Sequence, residues 1–194
     1  MSEKSTSVYR LAAIGMMSAV AFVSNYLSIP IGDVTRIHFG NVFCVLSGLL
    51  LGPVGGGLSA GIGAFFYDLT NPLYADEALI TFALKFMLAF LAGSFAHANG
   101  RRARVFSWNL TGAVTGSVVY VVMYLAKNVI KEYYFLRSPM EAVLIKLITR
   151  AGASAVNALI AVVVSMALFP ILRNSLQQAG IFDRLFGPVK NTTT

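Results

Sequence analysis

From Phe39 to Tyr67 the chain carries no charged side chain, and from 79 to 98 it carries a single cation, Lys85. Runs of this length and polarity do not belong on a surface facing water. A helix of about 20 apolar residues crosses a bilayer, and these stretches reach that length. Three more runs, 11–29, 105–125 and 143–172, are similarly apolar, the last interrupted by Lys146 and Arg150. Only 12% of the 194 residues are charged and 57% are hydrophobic, whereas a soluble domain carries about 25% charged residues. The chain reads as an integral membrane protein. That excludes an ordinary cytosolic enzyme, a disordered segment and a nucleic-acid-binding module.

The region 39–69 is too long for one untilted helix and short for two. At its middle lies Leu51-Gly52-Pro53-Val54-Gly55-Gly56-Gly57, the strongest helix-breaking run in the sequence. Two short helices meeting at a tight turn are expected there, which brings the spans to six. The first run is long and lacks a small-residue cleavage site, so it is expected to remain as a span rather than serve as a cleaved signal. The charges follow the positive-inside rule for six spans with the N-terminus inside. Lys4, Arg10, Arg101, Arg102, Arg104, Arg173, Arg184 and Lys190 then face the cytoplasm, and Arg36, Lys131 and Arg137 lie outside, with Lys127 at a boundary. Five spans with the N-terminus outside satisfy the charges almost as well, and the Gly-Pro turn decides for six. The expected fold is an all-α integral membrane protein: a six-transmembrane-helix bundle with cytoplasmic N- and C-termini. Residues 1–190 form a single membrane domain and 191–194 a polar tail. The lone cysteine, Cys44, excludes an internal disulfide framework and is expected to be a buried, inert thiol.

Membrane helices associate through small residues that let backbones approach closely. The first span carries Ala12, Gly15 and Ala19, with Ser18 beside them. The segment after the glycine turn carries Gly57, Gly61 and Ala64, and the last span carries Gly152, Ala153, Ser154, Ala155 and Ala158. Each pattern fits either packing within one bundle or docking of a second membrane subunit.

Ionisable groups at membrane depth are costly and usually line a cavity or a substrate path. Asp68, Lys85, Lys146 and Arg150 are such groups, and Lys146, Arg150 and Asn157 share one helix face. The fifth span adds Tyr120, Tyr124, Lys127 or Asn128, and Lys131 at similar spacing. The loop after the first span supplies Arg36 and His38, and the segment Tyr67 to Tyr74 supplies Asp68 and Asn71. All converge on the outer half of the bundle, where aromatic, amide and cationic groups suit a small polar ring compound. Structural roles compete with that reading. Tyr67, Tyr74, Tyr133 and Tyr134 fit an interfacial belt, Lys127 and Lys131 fit snorkelling to headgroups, Arg150 fits an ion pair with Asp68, and Asn157 fits a bond to a neighbouring helix. Lys85 is hardest to explain structurally.

No HExxH, CxxC or GxxxxGK[ST] occurs, and His38 and His97 fall on opposite sides of the membrane. Neither a metal nor a cofactor is expected, and no catalytic residue. Two other functions remain open: a proton-coupled secondary transporter working through Asp68, and an enzyme of lipid headgroups using Asp76 and Glu77. The first lacks the internal repeats common among such transporters. The second lacks a metal cluster or a nucleophile–base pair.

Six short helices with a small-residue stripe on the first resemble the substrate-binding S components of energy-coupling factor (ECF) transporters. The resemblance rests on Arg36-Ile37-His38-Phe39-Gly40-Asn41 and on Ser47-Gly48-Leu49-Leu50-Leu51-Gly52-Pro53-Val54-Gly55-Gly56-Gly57. Folate- and pantothenate-type members have similar Leu-Leu-x-Gly-Pro-x-x-Gly runs. It implies a non-enzymatic subunit of a bacterial or archaeal plasma membrane that binds a vitamin or precursor and delivers it inward. The partners would be a transmembrane T subunit and two cytoplasmic ATPases. It further implies docking through Ala12, Gly15 and Ala19, a lid carrying Arg36 and His38, and a pocket lined by Lys85, Tyr120, Tyr124, Asn128, Lys146, Arg150 and Asn157. A pyridoxine- or pyrimidine-type precursor, pantothenate and folate are the candidate substrates.

Overall fold

The computed structural model describes residues 3–32, 34–72 and 74–186; Lys190 and the tail 191–194 lie outside the described residues. The helices are α1 (Glu3–Ser24), α2 (Gly40–Thr70), α3 (Ala78–His97), α4 (Phe106–Ile130), α5 (Met140–Gln178) and α6 (Ile181–Phe186). Four helical stretches, Gly40–Thr70, Ala75–Gly100, Phe106–Phe135 and Met140–Gln178, are long and apolar enough to cross a membrane. The apolar part of α1, Val8–Ser24, is shorter.

The helical expectation misses one element. Between α1 and α2 the chain forms an antiparallel hairpin of β1 (Ser28–Ile31) and β2 (Thr35–His38), with Ser28 opposite His38 and Ile31 opposite Thr35. The first helix therefore stops at Ser24, short of Ile29. Ser24 Oγ and Asn25 Nδ2 both donate to the Ala21 carbonyl, at 2.9 and 2.7 Å, and compete with the backbone bonds that would continue the helix. Beyond them, β-branched Ile29, Ile31, Thr35 and Ile37 favour extended backbone, and Pro30 cannot rejoin a helix interior.

Within α2 the chain reverses at Gly52, whose φ of 77° is open to glycine and costly for other residues. Pro53 follows, fitting the first turn of the second arm. The two arms lie side by side. Ser47 Oγ donates to the Gly56 carbonyl at 3.0 Å, and a Cβ built on Gly56 would lie 2.4 Å from Gly48 Cα. In an unbroken helix those residues would be about 12 Å apart. A Cβ on Gly48 would likewise stand 2.2 Å from the Ala89 carbonyl oxygen of α3. On the next interface, Cβ atoms on Gly112 and Gly116 of α4 would stand 2.5 Å from α3 carbonyls. These contacts are backbone to backbone, so nothing flexible can yield. Gly56→Ala is expected to destabilise the fold by about 3 kcal/mol, the upper end of the usual range for overpacking, because the site is closed by backbone. Gly15→Ala, where an added Cβ meets nothing within 4 Å, should leave thermal unfolding of the detergent-solubilised protein unchanged.

Val42, Val45, Leu46, Leu49 and Leu88 are wholly buried between α2 and α3. The outer faces are apolar as well, with Leu11, Met16 and Val23 on α1 and Ile145, Ile148, Leu159 and Ile171 on α5 exposed. Patches of this extent are aggregation-prone in water, and acyl chains cover them in a bilayer.

Candidate functional site

At one end of the bundle, between the hairpin and α2, α3, α4 and α5, lies a cavity of about 290 Å³. Of the residues expected to converge there, Arg36, His38, Asp68, Lys85, Tyr120, Tyr124, Lys127, Asn128, Lys131, Arg150 and Asn157 line it. Lys146 and Asn71 do not. Lys146 instead turns to Glu132, 2.8 Å away.

Lys85 sits in the wall, 3% exposed. Its Nζ donates to Asn41 Oδ1 and lies 4.8 Å from the centroid of the Tyr120 ring. Among the described residues it has no carboxylate partner, although an ammonium group offers three donors. A buried cation of this kind is held by dipoles and an aromatic face, with the Asp68 carboxylate acting only from beyond ion-pair distance. The Tyr120 and Tyr124 rings both reach the cavity and stack at 6.1 Å with an interplanar angle of 18°. Arg36 lies over two further rings, 4.4 Å from the Tyr67 centroid and 4.9 Å from that of Tyr74, and donates to the Tyr67 hydroxyl. Tyr67 and Tyr74 therefore serve the cavity, whereas Tyr133 and Tyr134 are exposed at the end of α4.

The hairpin is fastened over the cavity by α5. Asn157 Oδ1 accepts from the His38 N–H at 2.9 Å, and its Nδ2 donates to the Arg36 carbonyl at 3.0 Å. Arg150 Nε donates to the Val34 carbonyl at 3.4 Å. Asn157 thus bonds the hairpin and not a neighbouring helix. Burial, and next to it the charges of Lys85 and Arg36, hold the His38 imidazole well below its usual range. It is neutral at pH 7, with Nδ1 accepting from the Gly40 N–H at 3.1 Å.

Glu132 escaped the sequence reading. The five-residue π turn Lys131–Phe135 at the end of α4 turns its carboxylate inward, where it is 4% exposed. One oxygen meets Lys146 Nζ at 2.8 Å and the other meets Arg150 Nη2 at 3.1 Å. Arg150 therefore pairs with Glu132 and not with Asp68, which bonds Thr81. The available signal was two cations four residues apart on a span, which require a nearby acid. Lys127 and Lys131 also depart from expectation. Both bridge to Glu77, and Lys131 reaches Asp76 at 2.9 Å, so they close the rim rather than snorkel to headgroups.

Comparison with known proteins bears on the whole chain. The family model for the S component of ECF-type riboflavin transporters matches residues 5–174. The solved structure of the S component of a bacterial ECF transporter covers 88% of this chain and 96% of its own, at 20% identity and a TM-score of 0.51. The fold is shared. An uncharacterized Pyrococcus woesei protein from the gap 3' region is 28% identical over 109 residues, 56% of this chain and 70% of that protein.

Proposed function

The chain belongs to the ECF-type riboflavin transporter S component family, and from that membership we propose that it is the membrane-embedded riboflavin-binding subunit of an ECF transporter. Riboflavin then takes the place of the pyridoxine- or pyrimidine-type, pantothenate and folate candidates. It is a vitamin and a flat ring compound, within the class the residues suggested.

The observation that carries the substrate reading is Lys85, a buried cation with no carboxylate within ion-pair distance among the described residues, beside stacked Tyr120 and Tyr124. The isoalloxazine ring offers a flat face to the tyrosines and carbonyl acceptors to the lysine. The hydroxyl-rich ribityl chain matches the amide and carboxylate groups of Asn128, Asp68 and Glu132 on the cavity wall. The cavity volume stands at the small end of the range for ligand pockets, about 300–1,000 Å³. A ligand held there would displace water and touch most of the lining.

The topology that fits is six crossings: α1, the two arms of α2, α3, α4 and α5. The arginines near the end of α3, the start of α4 and the end of α5 then mark the cytoplasmic side, and the cavity opens outward. The first arm of α2, Gly40–Leu51, is about 18 Å long by helical rise. It stops short of the outer surface, and the hairpin fills the remaining depth. Ala12, Gly15 and Ala19 are exposed on α1 and form the docking face for a transmembrane T subunit, with two cytoplasmic ATPases supplying the energy. The chain itself performs no catalysis.

Titration of the ligand-free, detergent-purified chain with riboflavin tests the proposal through quenching of flavin fluorescence. Saturable one-to-one binding is expected, with a single flavin retained in native mass spectrometry. Absence of flavin binding alongside saturable binding of pantothenate, folate or pyridoxine would overturn the substrate.

A further inference from the structure

The hairpin reaches α5 at two points about 10 Å apart, the rise of the seven residues from Arg150 to Asn157. Its base is held several times over. Asn157 makes both of its bonds to β2 there, the Phe39 N–H donates to the Leu27 carbonyl at 3.2 Å, and the Tyr26 hydroxyl meets Thr70 Oγ1 at 2.8 Å. The tip differs. Val34 lies in the turn between β1 and β2, and its carbonyl takes the long 3.4 Å bond from Arg150 Nε. Among the described residues the free end is thus tied to α5 by one long bond and the base by several, so the tip is the part that lifts first.

Glu132 aims that bond. Nε and Nη2 lie on one edge of the planar guanidinium, and Nη2 donates to Glu132 Oε1 at 3.1 Å. Fixing one fixes the direction of the other. The carboxylate is itself fixed. It is 4% exposed, its Oε2 accepts from Lys146 Nζ at 2.8 Å and from Ser138 Oγ at 3.2 Å, and the Ser138 N–H donates to the Glu132 carbonyl at 3.0 Å. Three of the about four acceptor sites of a carboxylate are occupied by the protein, so the group is placed to hold its neighbours. Its backbone is anchored from the other side as well, because the adjacent Lys131 bridges to Asp76 and Glu77. The π turn therefore ties the rim to the arginine that reaches the hairpin.

We propose that Glu132 is a positioning residue: through Arg150 it latches the hairpin tip and so sets how often the cavity opens. The latch rests on these contacts, and only its consequence for flavin rests on the substrate reading. An amide in place of the carboxylate removes the charge that holds the guanidinium, and the arginine is then free to turn to water. A tip that gates the cavity governs entry and exit alike, whereas a residue that merely touches the ligand governs exit. The two roles separate in kinetics.

The test is hydrogen exchange, read by mass spectrometry on the full detergent-solubilised chain without ligand. Glu132→Gln is expected to speed exchange of the hairpin, residues 28–38, about three- to tenfold, the effect of losing a weak bond to a charged group, with α2 and α3 unchanged. No rise, or a rise that spreads through α2 and α3, would overturn the latch. Adding Lys146→Met removes one charge of each sign and keeps the test open should the single variant misfold; the same rise is expected. Lys146→Met alone keeps the Glu132–Arg150 pair and should exchange like the unaltered chain; an equal rise there would overturn the latch in favour of rim charge at large. In an Arg150→Gln background Glu132→Gln should add nothing, and an added rise would overturn the route through Arg150. Stopped-flow quenching of riboflavin fluorescence supplies the second readout. Association and dissociation should both quicken in Glu132→Gln, leaving the affinity within about threefold; faster dissociation alone would overturn the latch and make Glu132 a ligand contact. Absence of flavin binding by the unaltered chain would count against the substrate alone, since hairpin exchange is read without it.

Discussion

Lys85→Met should weaken riboflavin binding on the order of ten- to a hundred-fold, the range set by a hydrogen bond from a charged donor, about 1.5–3 kcal/mol. One of the three ammonium protons is engaged by Asn41, and Lys85 lines the cavity, which leaves its other two donors for a ligand. Methionine keeps the length and the apolar stem but donates nothing. The substitution also leaves Asn41 Oδ1 buried without its donor, at a cost of about 1–3 kcal/mol in stability. Adding Asn41→Leu removes that penalty by replacing both partners with apolar groups of similar size. The double variant is expected to regain thermal stability and still bind weakly. Wild-type affinity in it would remove Lys85 from the site; recovered stability with lost binding assigns the effect to the ligand. Calorimetry and flavin fluorescence read the two quantities independently.

Much of this architecture is legible in the sequence because membrane helices announce themselves by length and polarity. The reversal at Gly52 is legible for a local reason: glycine and proline together leave the chain no helical option. Convergence of Arg36, Asp68, Lys85, Tyr120, Arg150 and Asn157 on one cavity was legible because a polar group in a span has few places to point. What escaped depended on tertiary partners. The end of α1 is set by Ser24 and Asn25 bonding to Ala21 and by the hairpin behind them, and apolar Leu27 and Ile29 read as more of the same helix. Glu132 enters the cavity only because a π turn rotates it inward, a local departure that no spacing rule encodes. Lys127 and Lys131 read as snorkelling cations because their acids, Asp76 and Glu77, lie more than forty residues earlier and meet them only across the rim. The small-residue stripes were ambiguous in sequence, and geometry separates them. Gly57 and Gly61 face Phe86 and Phe82 of α3, where an added Cβ would lie 2.8 Å away, whereas at Gly15 it would meet nothing.

That separation sets up the other large effect. Gly15→Leu combined with Ala19→Leu should leave riboflavin affinity of the isolated chain unchanged and reduce flavin uptake by whole cells at least about tenfold. Gly15 and Ala19 line a shallow apolar groove of about 610 Å³ on the outside of the bundle, between α1 and the second arm of α2, with Leu11, Phe22 and Phe66 around it. The bundle gains little from keeping these positions small, because a Cβ added at Gly15 meets nothing within 4 Å and Ala19 is exposed. Lipid gains nothing either, since acyl chains adapt to leucine as readily as to alanine. A partner helix does gain. Close approach of two membrane helices requires small residues where the backbones cross, and bulk at that point separates them. The cavity lies across α2 from this groove, lined from the hairpin, α3, α4 and α5, so leucines on the outer face of α1 cannot reach it. Unchanged uptake would show that the groove is not where the T subunit docks. Lost flavin binding would show that the stripe supports the bundle after all, contrary to the open space beside Gly15. Transport and binding separate only if the groove is an interface, because a transporter subunit that binds its ligand and cannot dock has no source of energy for the inward step.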